Sequence, residues 1–144
     1  MRKQGIIYHL EMYLGSKKHI GLFLLRIFVS TRLLYGVIDN IVSWERMIEF
    51  SNFLKSNGFP FPTTNAIISV YVQFLCAILI LVGYKIRFAS FVLAINFLVA
   101  LIFVHIRTND TVEGMTGALA MFFGSLTFLF TGADKISLDN HFKS

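Results

Sequence analysis

The sequence has little cysteine and few charged residues, and both shortages limit what the protein can be. A single cysteine, Cys76, excludes an internal disulfide and any paired-thiol redox motif. Charged residues make up 15% of the 144 residues, against about 25% in an ordinary soluble domain. The small charged fraction places the chain in the membrane class.

Three further signals are missing from the chain. The net charge is +5, but no basic stripe with interleaved aromatic residues appears, so nucleic acid is not an expected partner. Four scattered histidines do not have the spacing of metal ligands, so no metal site is predicted. No small-residue cleavage site follows the polar N-terminus, and the first apolar segment is expected to stay in the protein.

Hydrophobic residues, by contrast, make up 56% of the chain. They form four segments, each close to the roughly 20 residues that a bilayer core requires. The last three segments contain no charged residue. This pattern predicts an all-α fold, a four-helix transmembrane bundle that forms a single membrane domain over residues 1–144 and contacts the lipid bilayer. The predicted spans are 21–42, 66–84, 88–106 and 114–133.

The distribution of Lys and Arg outside these spans predicts the orientation. Eight lie on the side that holds both termini and three lie on the other side. The chain is therefore expected to be a multi-pass protein of the cell (inner) membrane, with both termini in the cytoplasm. The eight are Arg2, Lys3, Lys17, Lys18, Lys85, Arg87, Lys135 and Lys143, and the three are Arg46, Lys55 and Arg107.

Two shorter helices are predicted outside the spans. Apolar residues at helical spacing before Gly15, with basic residues on either side, indicate a short helix in the cytoplasmic interface, the alternative being a disordered tail. The connection 43–65 is too long for a turn. Ser43 can cap a helix there and Gly58 can end it. This outer-side amphipathic helix either continues the first span past a bend or folds back as a lid.

The first span carries three charged residues, although a charge at the bilayer centre costs roughly 3 kcal/mol. Arg26 lies about 8 Å from the cytoplasmic boundary, so its side chain is expected to extend back to the headgroups. Arg32 lies about 17 Å deep, which strains such an extension. Asp39 follows seven residues later on nearly the same helix face. We therefore expect Arg32 to point towards Asp39 and to matter more for the fold than Arg26.

Other polar residues are expected at a membrane depth similar to that of Arg32. Gln73 in the second span and His105 at the end of the third both fall in the outer half of the bundle, and Asn96 lies near its middle. Together with Arg32 and Asp39 they predict a polar pocket that opens away from the cytoplasm. Interhelical hydrogen bonds, a boundary histidine and a buried structural ion pair are the alternatives.

The order of several short motifs resembles the DoxX family of small four-helix membrane proteins, from about residue 22 to residue 139. A glutamate that many members place in the second helix is replaced by Gln73, which puts a proton relay at that position in doubt. The matching pieces are LLR at 24–26, Gly36, GFPFP at 58–62, LILVGYKIR at 79–87, His105 and TGADKISLDN at 131–140.

The resemblance implies a link to a thiosulfate:quinone oxidoreductase subunit and to complexes that handle thiol and oxidative stress. The function expected first is a redox-associated subunit whose pocket binds a quinone, held without a covalent bond, or a small sulfur oxyanion. Arg32 would supply a permanent positive charge and His105 would pass a proton. Tyr35 or Trp44 would stack on a ring. The missing cofactor would come from the substrate, the quinone or a soluble or membrane redox partner protein.

A second hypothesis is non-enzymatic: a membrane scaffold or assembly factor for a partner protein, in which the polar cluster only stabilises the bundle. A transporter is less favoured, because no inverted repeat or broken helix pair is visible. Gly117 and Gly124 lie on nearly one face of the fourth span and indicate close helix packing or a homodimer contact. Whether the protein is an enzyme stays open at this point.

Overall fold

The computed structural model describes the backbone of residues 2–142 and the side chains of residues 5–142. The chain is 84% helix, and the described residues contain no strand. The helices are α1 Arg2–Ser16, α2 Lys18–Val42, α3 Trp44–Ser56, α4 Pro62–Val82, α5 Ile86–Ala100, a π-helical turn Leu101–Ile106 that continues α5, α6 Val112–Thr131 and α7 Leu138–His141.

Four helices are long and apolar enough to cross a membrane: α2, α4, α5 with its π-helical turn, and α6. Only 22 to 28% of their apolar windows is buried inside the protein, so most of their apolar surface must face lipid. The structure confirms the all-α, four-span architecture, with one helix before the first span and one between the first two. Helix starts differ from the predicted ones by a few residues; α4 begins at Pro62 rather than at residue 66.

Helix α3 begins and ends at the predicted signals. The hydroxyl of Ser43 accepts a hydrogen bond from the backbone nitrogen of Arg46, which caps the first turn. Gly58 has a φ of 75°, a left-handed conformation that glycine adopts at little cost, and it ends the helix. Pro62 then opens α4, where a missing backbone donor is harmless.

The side chains of α3 pack back onto the bundle. Met47 and Leu54 of α3 form a buried cluster with Val37 of α2 and with Ala66 and Val70 of α4. Of the two predicted arrangements, the structure therefore has the folded-back one. We call the membrane face that carries α3 the α3 face, and the face that carries α1 and α7 the terminal face.

The spans pack in sequence order, α2 on α4, α4 on α5 and α5 on α6, whereas α2 makes far fewer contacts with α6. One contact between these two is close: a Cβ added at Gly124 would lie 3.1 Å from the Cγ2 atom of Val29. Both residues lie in the half of the bundle nearer the terminal face. The ring of four helices is therefore closed in that half and loose towards the α3 face.

Arg26 does not extend to the membrane surface. Its side chain is 2% exposed, and its guanidinium lies 3.3 Å from the carboxylate of Asp134, which is equally buried. It also donates a hydrogen bond of 2.9 Å to the backbone oxygen of Ile136. The predicted extension of Arg26 is wrong because the chain folds back beneath the bundle after α6. That fold brings in a partner 108 residues away.

The segment after α6 is fixed to the turn between α4 and α5. The carboxylate of Asp139 accepts hydrogen bonds from the backbone nitrogens of Lys85 and Ile86, at 2.8 and 3.0 Å, and so caps the start of α5. The nitrogen of Asp139 donates to the oxygen of Gly83 at 2.8 Å. Arg26 and Ser137 leave no room for a Cβ at Gly83. The segment 132–141 therefore closes the terminal face.

Arg26→Leu should destabilise the protein by about 3–5 kcal/mol, because it leaves the Asp134 carboxylate buried without its partner. The sequence predicts that Arg32 matters more for the fold than Arg26. The structure reverses this order of destabilisation, because Arg32 has no ion pair to lose among the described residues. Unfolding of the detergent-solubilised protein measures the effect.

The matched control is Arg46→Leu, which removes an exposed pair with Glu49 and should cost at most about 1 kcal/mol. The double variant Arg26→Leu/Asp134→Leu should recover part of the loss. Equal stability of the two single variants would contradict the structural role of the buried pair.

The predicted orientation can be tested at two exposed positions on opposite faces. In a Cys76→Ser background, a cysteine at Ser56 should react with an impermeant maleimide in intact cells, whereas one at Lys135 should react only after lysis. The reverse pattern, or equal labelling, would overturn the cytoplasmic location of the termini. Lys143 and the side chains of Arg2 and Lys3, which contribute to that prediction, lie outside the described residues.

Candidate functional site

A cavity of about 710 Å³ lies among the spans in the half nearer the α3 face. All four spans contribute to its wall, and α3 covers it. Most of the wall is apolar, with aromatic side chains from α2, α3 and α5. The polar residues on the wall are Arg32, Asn65, Ser69, Gln73, Asn96, His105 and Thr116.

Arg32 provides the positive charge of the cavity. Its guanidinium carbon lies 6.0 Å from the centre of the Tyr35 ring. A Cβ added at Gly36 would lie 3.2 Å from its Nη1 atom, so the glycine one turn later leaves room for the guanidinium. Among the described residues no carboxylate lies within 4 Å of Arg32. The charge is therefore available to a ligand.

The predicted approach of Arg32 to Asp39 is wrong. Asp39 is exposed, it does not line the cavity, and its carboxylate accepts a hydrogen bond of 2.9 Å from the backbone of Asn40. The reason is geometric: seven residues of helix span about 10 Å, and side chains meet at separations of three or four residues. A shared helix face did not bring the two groups together.

Two amide side chains face the cavity with hydrogen-bonding groups free. Gln73 Nε2 donates to the hydroxyl of Ser69 at 3.1 Å, one turn earlier on α4, and this is the only side-chain hydrogen bond of Gln73 within residues 5–142. The amide of Asn96, half-buried on α5, makes none within the same residues. Both amides are half-buried, so their remaining donors and acceptors are open to a polar ligand.

His105 lies on the π-helical turn at the α3-face end of the cavity. Its Nδ1 atom is 2.7 Å from Oδ2 of Asp110. The other carboxylate oxygen of Asp110 accepts a hydrogen bond of 2.8 Å from the backbone nitrogen of Thr111. Gly114 leaves space for this carboxylate, since a Cβ at that position would overlap it. Hydrogen bonds from His105 and Thr111 lower the pKa of Asp110 below its ordinary value of 3.8.

This arrangement orients the imidazole. A carboxylate at Nδ1 favours the tautomer that carries its proton there, which leaves Nε2 of the neutral His105 as an acceptor. π-helical turns recur at functional sites because they change the direction of the side chains they carry. His105 is therefore a candidate for proton exchange with a cavity ligand.

The two aromatic residues predicted to stack on a ligand lie elsewhere. The side chain of Tyr35 is 79% exposed and that of Trp44 is 62% exposed, and neither lines the cavity. Sequence reasoning missed the aromatic residues that do, although the helical spacing of those in α3 was visible. They are Phe28, Phe50, Phe53, Phe59 and Phe97.

The cover formed by α3 is held at its C-terminal end. The hydroxyls of Ser51 and Thr63 form a hydrogen bond of 2.8 Å between α3 and α4. Arg107, after the third span, donates to the backbone oxygen of Asn57 at 3.4 Å and packs over Gly58. A cation at this position also favours the partial negative charge at a helix C-terminus. The cover thus depends on the loop that follows His105.

These features define a small helical integral membrane protein whose bundle encloses a ligand-sized cavity. A protein-family model, DoxX, matches residues 21–106, more than half of the chain. The chain belongs to the DoxX family, as the resemblance predicted. The match extends from α2 to the π-helical turn and includes Arg32, Gln73 and His105. Searches of curated proteins and of solved structures find no significant match.

No group of three His, Cys, Asp or Glu side chains within the described part of the chain is arranged to hold a metal ion. The polar side chains on the cavity wall are hydrogen-bonding groups.

The effect of Asp110→Asn should depend on pH. Because the pKa of Asp110 is lower in the folded protein, the carboxylate stabilises the fold fully above its ordinary value of 3.8. That contribution is lost as the pH falls through the lower folded-state value. The difference in melting temperature between wild type and Asp110→Asn should therefore shrink as the pH falls below about pH 4. A difference that persists unchanged well below about pH 4 would contradict the lowered pKa of Asp110.

Proposed function

We propose that the chain is a redox-associated membrane subunit that binds a quinone in the cavity. The observation that carries the proposal is an apolar cavity of about 710 Å³ with uncommitted polar groups on its wall. Its volume lies within the range of about 300–1,000 Å³ that is usual for small-molecule sites. Membership of the DoxX family is compatible with this role.

The chemistry of the wall suits a quinone. Two carbonyl oxygens of such a ring accept hydrogen bonds, and the guanidinium of Arg32 and the amides of Gln73 and Asn96 are donors. Phenyl side chains such as Phe50 and Phe97 suit the ring and the first part of an isoprenoid tail. A quinone thus fits the residues on the cavity wall.

The loose contact between α2 and α6 supports entry from the membrane. Gly36 on α2 and Gly117 on α6 both line the cavity, and these two helices make few contacts with each other. A ligand dissolved in the bilayer can enter between two such helices without crossing water. The same opening allows a long tail to remain in lipid while the ring lies inside.

A small sulfur oxyanion suits the cavity less well. Such an ion is strongly hydrated, and burial requires that its charge and its oxygens all be compensated. The wall offers one permanent cation, Arg32, among several phenyl rings. The surroundings therefore favour a neutral ring with two acceptors over a small anion.

When bound, a quinone would supply two-electron, two-proton redox chemistry, with the electrons coming from a partner protein and the protons from His105 and solvent. Arg32 holds one carbonyl oxygen and stabilises negative charge that develops there. His105 exchanges a proton at Nε2, and Asp110 stabilises the imidazolium that results. The proposal places the protein in the cell (inner) membrane with both termini cytoplasmic and the cavity towards the outer side.

Arg32→Gln should weaken quinone binding while the bundle stays folded. The loss of a charge-assisted hydrogen bond corresponds to about 1.5–3 kcal/mol, or roughly 10- to 150-fold in the dissociation constant. The protein contains one tryptophan, Trp44, so quenching of its fluorescence by a short-chain ubiquinone reports binding in detergent.

Arg46→Gln removes an arginine from the α3 face outside the cavity and should bind like the wild type. Equal affinity of the Arg32 and Arg46 variants would contradict the proposed role of Arg32. Thiosulfate binding without quinone binding would identify the sulfur oxyanion as the ligand. Failure of the wild type to bind either would favour the scaffold hypothesis.

A further inference from the structure

A second cavity, of about 360 Å³, lies at the terminal face between the start of α5 and the end of α6. Lys85 and Arg87 lie on its wall, together with Phe88, Asp139 and Asn140. It is separate from the large cavity and shares no lining residue with it. The proposed quinone site makes no use of these residues.

Both cations of this cavity lack an acidic partner. No carboxylate lies within 4 Å of Lys85 or Arg87 among the described residues. Asp139 is the acidic residue on the wall, and its two carboxylate oxygens accept hydrogen bonds from the backbone nitrogens of Lys85 and Ile86. Its charge therefore offsets the positive end of α5, and the two side-chain cations remain in excess.

The backbone holds the two cations in place. Lys85 has a φ of 48°, a left-handed conformation fixed by the two hydrogen bonds to Asp139. Arg87 lies across Gly132, where a Cβ would be 2.7 Å from its Nε atom, and its Nη2 is 3.5 Å from the backbone oxygen of Phe130. The glycine, with a φ of 72°, keeps this space open.

The cavity lies at the ends of two candidate membrane spans, where lipid headgroups are expected in a bilayer. Two candidate membrane spans meet it, one beginning at Ile86 and the other ending at Thr131. Phe88, one of its wall residues, is 63% exposed on the lipid-facing side of the bundle. A polar, cationic hollow thus adjoins an apolar surface at the membrane boundary.

We propose that this cavity binds the phosphate of an anionic phospholipid, with Lys85 and Arg87 on the phosphate and an acyl chain against Phe88. Basic pockets between spans are suited to such headgroups. Arginine and lysine both bind phosphate, the first through a forked pair of donors and the second as a point charge. An apolar contact beside the phosphate distinguishes a lipid from a free phosphate ion.

Native mass spectrometry of the full chain in detergent tests the proposal. Wild type should retain phosphatidylglycerol in preference to phosphatidylcholine with the same acyl chains. Lys85→Gln and Arg87→Gln should each weaken phosphatidylglycerol binding about fivefold, and the double variant about 30-fold. Phosphatidylcholine binding should not change.

Lys135→Gln is the matched control, because it removes an exposed lysine from the same face outside the cavity. Lys85→Arg and Arg87→Lys should retain at least half of the wild-type preference, which separates a charge effect from damage to the fold. Equal binding of the two lipids by wild type, or equal losses in Lys135→Gln and the double variant, would overturn the proposal. Inorganic phosphate that displaces phosphatidylglycerol at millimolar concentration would show instead a site for free phosphate.

Discussion

The buried ion pair between Arg26 and Asp134 is the interaction on which the shape of the bundle depends. It joins the first span to the chain that follows the last one, so it holds the two ends of a four-helix ring together at the terminal face. Asp139 adds a second attachment at the start of α5. No comparable link joins α2 to α6 near the α3 face in the described structure. The closed end fixes the helices, and the loose end leaves the cavity.

Each charge of the first span has a different surrounding. Arg26 is compensated by an acidic group that comes from the far end of the chain. Asp39 lies near the end of α2, exposed, with a backbone donor. Arg32 has no acidic partner within reach among the described residues and faces the cavity beside Gly36. Arg32 and Asp39 both lack an ion pair within the described residues, but of these two only Arg32 lines the cavity, which is consistent with the proposed ligand.

Much of the fold could be predicted from the sequence, because length, hydropathy and capping residues act locally. The four spans, Ser43 as the cap of α3 and Gly58 as its end all follow from such signals. The environment of Arg26 could not be predicted from depth, because its partner Asp134 is distant in sequence and becomes a neighbour only through a turn after α6. Depth placed Arg32, Gln73 and His105 at the same level, and the structure has all three on one cavity wall.

Depth did not reveal which side chains face that cavity. Tyr35 and Trp44 have suitable chemistry and a suitable level, but they lie on the outside of α2 and α3. Phe50 and Phe53 face inwards because the apolar side of α3 packs on the bundle. Whether an aromatic side chain lines the cavity depends on the rotation of its helix about the helix axis, and not on its position along that axis. Rotation depends on contacts between helices, which a single sequence shows only through weak periodicity.

The polar groups of the spans differ in whether they have a partner on their own helix. Several hydroxyls bond to their own helix: Thr116, Ser125 and Thr127 each donate to a carbonyl one turn earlier. Such groups require no external partner. The amide of Asn96 and the guanidinium of Arg32 have no such local acceptor, and both lie on the wall of the same cavity. Both groups are therefore open to the ligand that is proposed for this cavity.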